Sequence, residues 1–425
     1  MRWSIWGVGV GMALSGLACS AILGIHDPEI DGLVTTDLPD GAGDGRVGDS
    51  ATLGDATADG PTACPANRAD CNNNPADGCE TDTTQPQNCG SCGHVCLACE
   101  GAKCVPQVLA SGGGLDYTGL VALDAQNVYW ASPGGKNLYT VAKAGGTPTP
   151  KTAADPMDAT TLYVGPTYVG LSTFSPVPGL KVLSRASGAL VANVQVDACQ
   201  TALGVVADET DAIYYAHGSN AGACGTSPFH ITKRTPNGGG GFFETWDFAA
   251  GSYNTAESEW LALDAQNLYF VGFRDTAPGV YRISRAGGAS SLVIGGRFVG
   301  APVAVDDKNV YSIRNNDLGG IGEAELLAVD KATSGVTVLA TGEPSFKVGG
   351  VVRASLVIDA THVYWTADDG ADDAGAVRYG RVMRVKKTGG AKEVLADKEA
   401  GAYGLAVDDG FVYWSSAAGI KRIPK

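Results

Sequence analysis

The sequence predicts an all-β protein: a seven-bladed β-propeller of four-stranded blades, preceded by a disordered linker and a small disulfide-rich module. Three observations carry the prediction. A repeat built around seven tyrosines fills residues 105–425, eight cysteines crowd into residues 64–104, and residues 19–63 are acidic without apolar periodicity. Composition bounds the rest. Of 425 residues, 44% are hydrophobic, which excludes wholesale disorder, and 45 acids against 30 bases leave a net charge of −15. Such a field repels phosphate backbones, so nucleic acid is not an expected partner. The 5 histidines are scattered along the chain, which is thin for metal or acid–base chemistry.

Residues 1–18 hold one basic residue, Arg2, and then an apolar stretch from Trp3 to Leu17. A membrane-spanning helix needs roughly 20 apolar residues, so this segment reads as a signal peptide. Ala18 is followed at once by Cys19, and GLACS resembles the cleavage box of bacterial lipoproteins, with Gly16 where that family carries an aliphatic residue. The resemblance implies that Cys19 becomes an acylated N-terminus, and that Ser20 directs the protein to the outer membrane. Ordinary cleavage after Ala21 is the other reading. The expected product is exported and lipid-anchored, at the outer membrane or cell surface.

In the linker, nine acids (Asp27, Glu29, Asp31, Asp37, Asp40, Asp44, Asp49, Asp55 and Asp59) face a single Arg46. Self-repulsion and the lack of apolar residues predict an extended, flexible stalk. The run DGAGDGRVGD lacks the carboxylate spacing and closing Glu of an EF-hand loop.

The module carries Cys64, Cys71, Cys79, Cys89, Cys92, Cys96, Cys99 and Cys104. Cys89 to Cys99 contains two CxxC pairs, but three residues separate them where zinc ribbons leave roughly 15–20. An exported chain meets an oxidising compartment, and so short a module cannot build a core without staples. Four disulfides are expected, with their connectivity open. DCNNNPADGCETD and NCGSCGHVC resemble small Cys-rich modules of secreted bacterial surface proteins, a resemblance that implies no chemistry.

The repeat is centred on Tyr129, Tyr168, Tyr214, Tyr269, Tyr311, Tyr364 and Tyr413, in pieces such as LVALDAQNVYWA and LVIDATHVYWT. Downstream of most copies a strand ends in a base and a glycine turn, as in VYRISRAGG and VMRVKKTGG, before a short apolar strand. Each copy therefore reads as four period-two strands, which is a propeller blade. The last copy, ending GIKRIPK, holds only three. Residues 105–111 (VPQVLAS) match the missing strand, and their pairing there would remove two unpaired sheet edges. DATHVYWT and RVMRVKKTGG resemble YWTD, NHL and TolB-like propeller repeats.

The repeated Asp124, Asp264, Asp306, Asp359 and Asp408 each open the turn between first and second strands, where Asp bonds the turn backbone. Recurrence in five blades is what a structural role predicts. Gluconolactonase-like propellers resemble this architecture and hold a metal on carboxylates at the channel mouth. The corresponding starts of the inner strands here are Gly119, Asp158, Leu203, Glu259, Ala301, Ala354 and Tyr403. Two carboxylates on nonadjacent blades make a poor metal site, and no GxSxG, Walker or HExxH motif occurs. The expectation is a non-enzymatic protein without catalytic residues, metal or cofactor, with a propeller hydrolase or an envelope scaffold as alternatives. The acidic loop 368–375 reads as a solvated tip.

Two further expectations concern the ends of the ring. Cys199 and Cys224 fall in loops at one end of the third blade, and are expected to form a disulfide. The turns joining strands one to two and three to four are short in every copy. The loops at the opposite end vary in length, from the short 131–137 to the long 216–229, 246–259, 312–324, 342–353 and 367–380, and variable loops on one face mark the binding face of many repeat proteins. Trp246, Tyr253, Phe273, Arg274, Arg314, Phe346, Tyr379 and Tyr403 are the candidate contacts there, for a protein or glycan ligand.

Overall fold

The computed structural model describes residues 64–425. Excepted are Pro75 and residues 113–118, 132–136, 152–158, 174–178, 197–199, 220–229, 238–241, 250–259, 275–276, 297–301, 316–323, 344–346, 349–350, 353–354 and 372–377. The leader, the acidic linker, Cys19, Cys199, Cys224, Tyr253 and Phe346 therefore lie outside the described residues.

Seven antiparallel four-stranded sheets follow one another along the chain: blade one over 120–150, two over 159–195, three over 200–249 and four over 261–295. Blade five covers 303–343 and blade six 356–400. Blade seven takes three strands from 405–424 and its outermost from Gln107–Ala110, which pairs with Gly419–Pro424. A hairpin of Lys347–Val348 and Val351–Val352 between blades five and six was not foreseen in the repeat pattern.

Second strands read as continuous apolar runs because a blade is covered on both faces. In blade six, Val363 and Trp365 pack toward blade five while Tyr364 packs toward blade seven. In blade four, Leu268 and Phe270 pack toward blade three, and Tyr269 toward blade five. Each repeat tyrosine thus points into the following seam. The ring closes on the same rule, since Tyr413 of blade seven packs with Val128 and Trp130 of blade one.

Blade two breaks the repeat. Gly165 NH bonds the Tyr168 carbonyl as Asp124 NH bonds that of Asn127, so Tyr168 occupies a turn position, and Gly170 stands where the repeat tyrosine belongs. The ring of Tyr163, on the paired inner strand, fills the space; a Cβ at Gly170 would overlap it. Six blades, not seven, carry the tyrosine in register.

The module has almost no core of its own: among its described residues only Thr83, Cys89 and Cys96 are buried. Four disulfides hold it, Cys64–Cys79, Cys71–Cys92, Cys89–Cys99 and Cys96–Cys104. Its hairpin Cys99–Glu100/Lys103–Cys104 leads into the propeller, and Cys104 packs against the core between blades six and seven.

Candidate functional site

At the end of the ring where the short turns gather, the aspartates are saturated. Asp264 Oδ1 accepts the NH groups of Gln266 and Asn267 at 2.8 and 2.7 Å, and its Oδ2 accepts the Tyr269 hydroxyl at 2.8 Å. Lys331 of the next blade completes the set at 2.6 Å from Oδ2. The same bridge joins Asp306 to Lys387 at 2.7 Å, Asp359 to Lys425 at 2.8 Å, and Asp208 to Arg285. Lys143 of blade one reaches Asp408 of blade seven at 2.8 Å and so spans the closure of the ring. The bases also lie over the tyrosine rings, Lys331 at 5.3 Å from the Tyr269 centroid.

Burial alone would raise the Asp264 carboxyl, but Lys331, the turn amides and Tyr269 outweigh it and bring it down to about 2. Asp306 is brought down to about 2 in the same way by Lys387, the Asn309 amide and Tyr311. The Tyr269 phenol moves the other way, pushed up to about 12 by burial and by the carboxylate beside it. A carboxylate held ionised by four donors is a weak base and carries no proton to give at neutral pH. This end of the ring ties blade to blade. Where blade two lacks the aspartate, Asp211 of blade three takes its place across the seam, accepting Thr167 NH at 3.0 Å. Asp211 can do so because an extra turn residue sets it at φ 61°, a conformation Asp tolerates.

An open pocket of about 440 Å³ lies among the inner strands of five blades, walled by Val121 and Leu123, Ala262 and Leu263, Val303–Val305, Leu356–Ile358 and Leu405–Val407. No carboxylate or imidazole stands among those lining residues. Of the channel-mouth positions read from the sequence, Asp158, Glu259, Ala301 and Ala354 lie outside the described residues. The Gly119 carbonyl accepts Gly404 NH at 3.1 Å.

Of the six proposed contacts that lie within the described residues, all but Trp246 stand at the loop end. Phe273 and Arg274 are the last residues of a second strand, opposite Pro278 and Ala277, and so reach that end. Arg314 sits there too, but its guanidinium already holds Glu325, with Nη2 at 2.6 Å and Nε at 3.2 Å. Tyr379 is the second residue of the third strand of blade six, opposite Ala400, and is 37% exposed. Tyr403 is half-buried in the neighbouring seam, its NH donating to the Ser415 carbonyl at 3.2 Å. Trp246 is the exception: it pairs with Lys233 in the middle of an outermost strand, away from the loops. The strand runs on because Phe242–Ala249 keeps pairing where the sequence suggested a long loop.

The structure also joins residues that looked scattered. His217 and His230, distant in sequence, are cross-strand partners stacked at 5.2 Å, and His217 Nε2 lies 3.1 Å from the Thr232 hydroxyl. Only the pairing of those two strands could have announced them. A cleft of about 520 Å³ separates the module from blades six and seven, between Ser91, His94 and Lys103 on one side and Glu393–Asp397 on the other. Among the described residues, Cys89, Cys96 and Cys104 approach one another as disulfide partners rather than as ligands. Asp70, Asp77 and Glu80 form an exposed acidic group whose oxygens accept bonds within the module, such as Cys71 NH to Glu80 at 3.0 Å.

The sequence matches no protein-family profile, and no curated protein matches it. Among solved structures it is similar to BamB from Moraxella catarrhalis, at 14% identity and TM-score 0.43, over 72% of this chain and 82% of that one. An oligogalacturonate lyase in complex with manganese is similar at 12% identity and TM-score 0.48, over 70% and 85%. The nidogen/laminin complex is similar at 13% and 0.40, over 59% and 85%. The propeller assignment rests on the pairing within the seven sheets, and none of these likenesses adds to it.

Proposed function

We propose that the chain is a non-enzymatic binding protein of the bacterial envelope, held to a membrane through acylated Cys19 and presenting the loop end of its propeller to a protein or glycan partner. The observation that supports this reading is the unequal use of the two ends. At the turn end Asp208, Asp264, Asp306, Asp359 and Asp408 each bind a base of the following blade and hold the two blades together. The loop end carries the longer connections and the aromatic and basic residues Phe273, Arg274, Arg314 and Tyr379. The test is retention of partner material from detergent-solubilised envelopes. Arg274→Ala and Tyr379→Ala together should reduce capture roughly tenfold, the loss of one or two contact side chains. Substitutions at Ala144 and Ala286 in the glycine turns should leave capture intact. Loss confined to the turn variants would place the partner on the other end.

Anchoring is tested separately. Cys19→Ser should move the protein from membranes to the soluble fraction; wild-type protein that is already soluble, with its N-terminus at Ile22, would show ordinary cleavage instead.

A further inference from the structure

The closing strand is a slight element for the task it performs. Gln107–Ala110 meets Gly419–Pro424 through only three residue pairs, Ala110 with Ile420, Val108 with Lys421 and Gln107 with Arg422. Yet Leu109 and Ala110 are buried in the core shared by blades seven and one. The Leu109 carbonyl accepts Gly146 NH of blade one at 3.3 Å. Arg422 gathers the seam: it donates to Gln107 at 2.8 Å and to the Lys143 carbonyl at 2.7 Å, and lies 4.2 Å from the Phe411 centroid. A four-residue strand at a chain's start would fray, because few contacts offset the ordering of its backbone.

This strand is not loose at its start. Only Val105 and Pro106 separate it from Cys104, which is cross-linked to Cys96 and packed on the core beside Ala396, Trp414 and Ile423. Val105 NH also bonds the Ala98 carbonyl of the module at 3.0 Å. A docked module two residues away keeps the strand near its partner at high effective concentration, whereas an unfolded one would leave it on a long flexible tail. The module itself depends on its cystines, since so few of its side chains are buried.

We propose that the cystine module is the clasp of the ring: its disulfides keep the closing strand paired, and reducing them opens the seam between blades seven and one. The reductant is a dithiol. One thiolate attacks a sulfur of Cys96–Cys104, and the second closes the reagent's own disulfide, so two electrons pass to the protein and two cysteine thiols form. An open seam exposes Leu109 and the edge of Gly419–Pro424, and the ring becomes subject to the redox state of its surroundings.

The test is hydrogen exchange of the full chain carrying Cys199→Ser and Cys224→Ser, before and after reduction with dithiothreitol, with thiols counted by mass. Amides of 107–110 and 419–424 should exchange roughly tenfold faster after reduction, while blades four and five keep their protection. A second variant, with a flexible spacer of about ten glycine and serine residues between Cys104 and Val105, should loosen the same amides with every disulfide intact. Unchanged protection at the seam in either experiment, or equal loss across all blades, would overturn the clasp.

Discussion

Tyr163 and Tyr269 show how one residue type meets two fates within this repeat. The Tyr269 hydroxyl donates to Asp264 and is held at the turn. The Tyr163 hydroxyl is buried in a position the repeat did not design for it, with no hydrogen-bond partner among the described residues. Tyr269→Phe should therefore lower stability by about 1–2 kcal/mol, because it strips a donor from a buried carboxylate. Tyr163→Phe should be neutral or stabilising by up to about 1 kcal/mol, since removing an unsatisfied hydroxyl removes a desolvation cost. Chemical denaturation of both variants checks the contrast. The acid response belongs to the same residues. Asp264 and Asp306 titrate near 2 in the fold and nearer 3.8 when unfolded. The folded state therefore binds fewer protons, its extra stability is present above pH 3.8, and it is lost as pH falls toward 2. Each is worth roughly 1–2 kcal/mol after allowance for solvent screening. Melting temperature should drop over that window, and less steeply in Asp264→Asn. The tyrosines act at the other extreme: with Tyr129, Tyr269 and Tyr413 raised to about 12, stability should fall as pH climbs from 10 toward 12.

The elements were legible to the extent that they follow period two and fixed turn chemistry. Asp-x-x-Asn before an apolar run announced the turn in blades one and four, and the structure places the side chain on the turn amides. Blade two was misaligned because its turn is Gly165-Pro166-Thr167, so Tyr168, taken as the repeat tyrosine, lies two places from the true register. Sequence cannot reveal that Tyr163 fills a neighbour's place, since the vacancy arises only when sheets stack. The outer strand Phe242–Ala249 was cut short in the same way, because strand ends depend on a partner and not on local pattern. The seam between blades seven and one gives the sharpest test at this scale. Gly419, at φ 136°, lies so close to the Ala110 carbonyl that a Cβ would clash with it. Gly419→Val should cost about 2–4 kcal/mol and loosen the closing strand, as read by urea denaturation. Gly287→Ala, at a turn with open space around it, is strained only by its φ of 89° and should cost about 1 kcal/mol.

Across the whole molecule, the two ends of the ring are built differently. The bridges from Lys143, Arg285, Lys331, Lys387 and Lys425 each reach back to the preceding blade, so the turn end is a belt around the ring. That belt leaves the loop end as the surface on which sequence can vary without loosening the seams. The candidate contacts were only partly legible. Arg274 and Tyr379 stand at the loop end, whereas Trp246 was assigned there because residues 246–259 read as a long loop, and its place within the strand to Ala249 takes it away from that rim. The division of labour between the ends is tested most directly by photo-crosslinking in intact cells. A benzophenone amino acid is placed in turn at Arg274, Arg314 and Tyr379, and at Ala144, Ala286 and Thr388 on the turn end. The account predicts discrete crosslinked species from the first three positions and none from the second three. Crosslinks arising from the turn-end positions alone would contradict it.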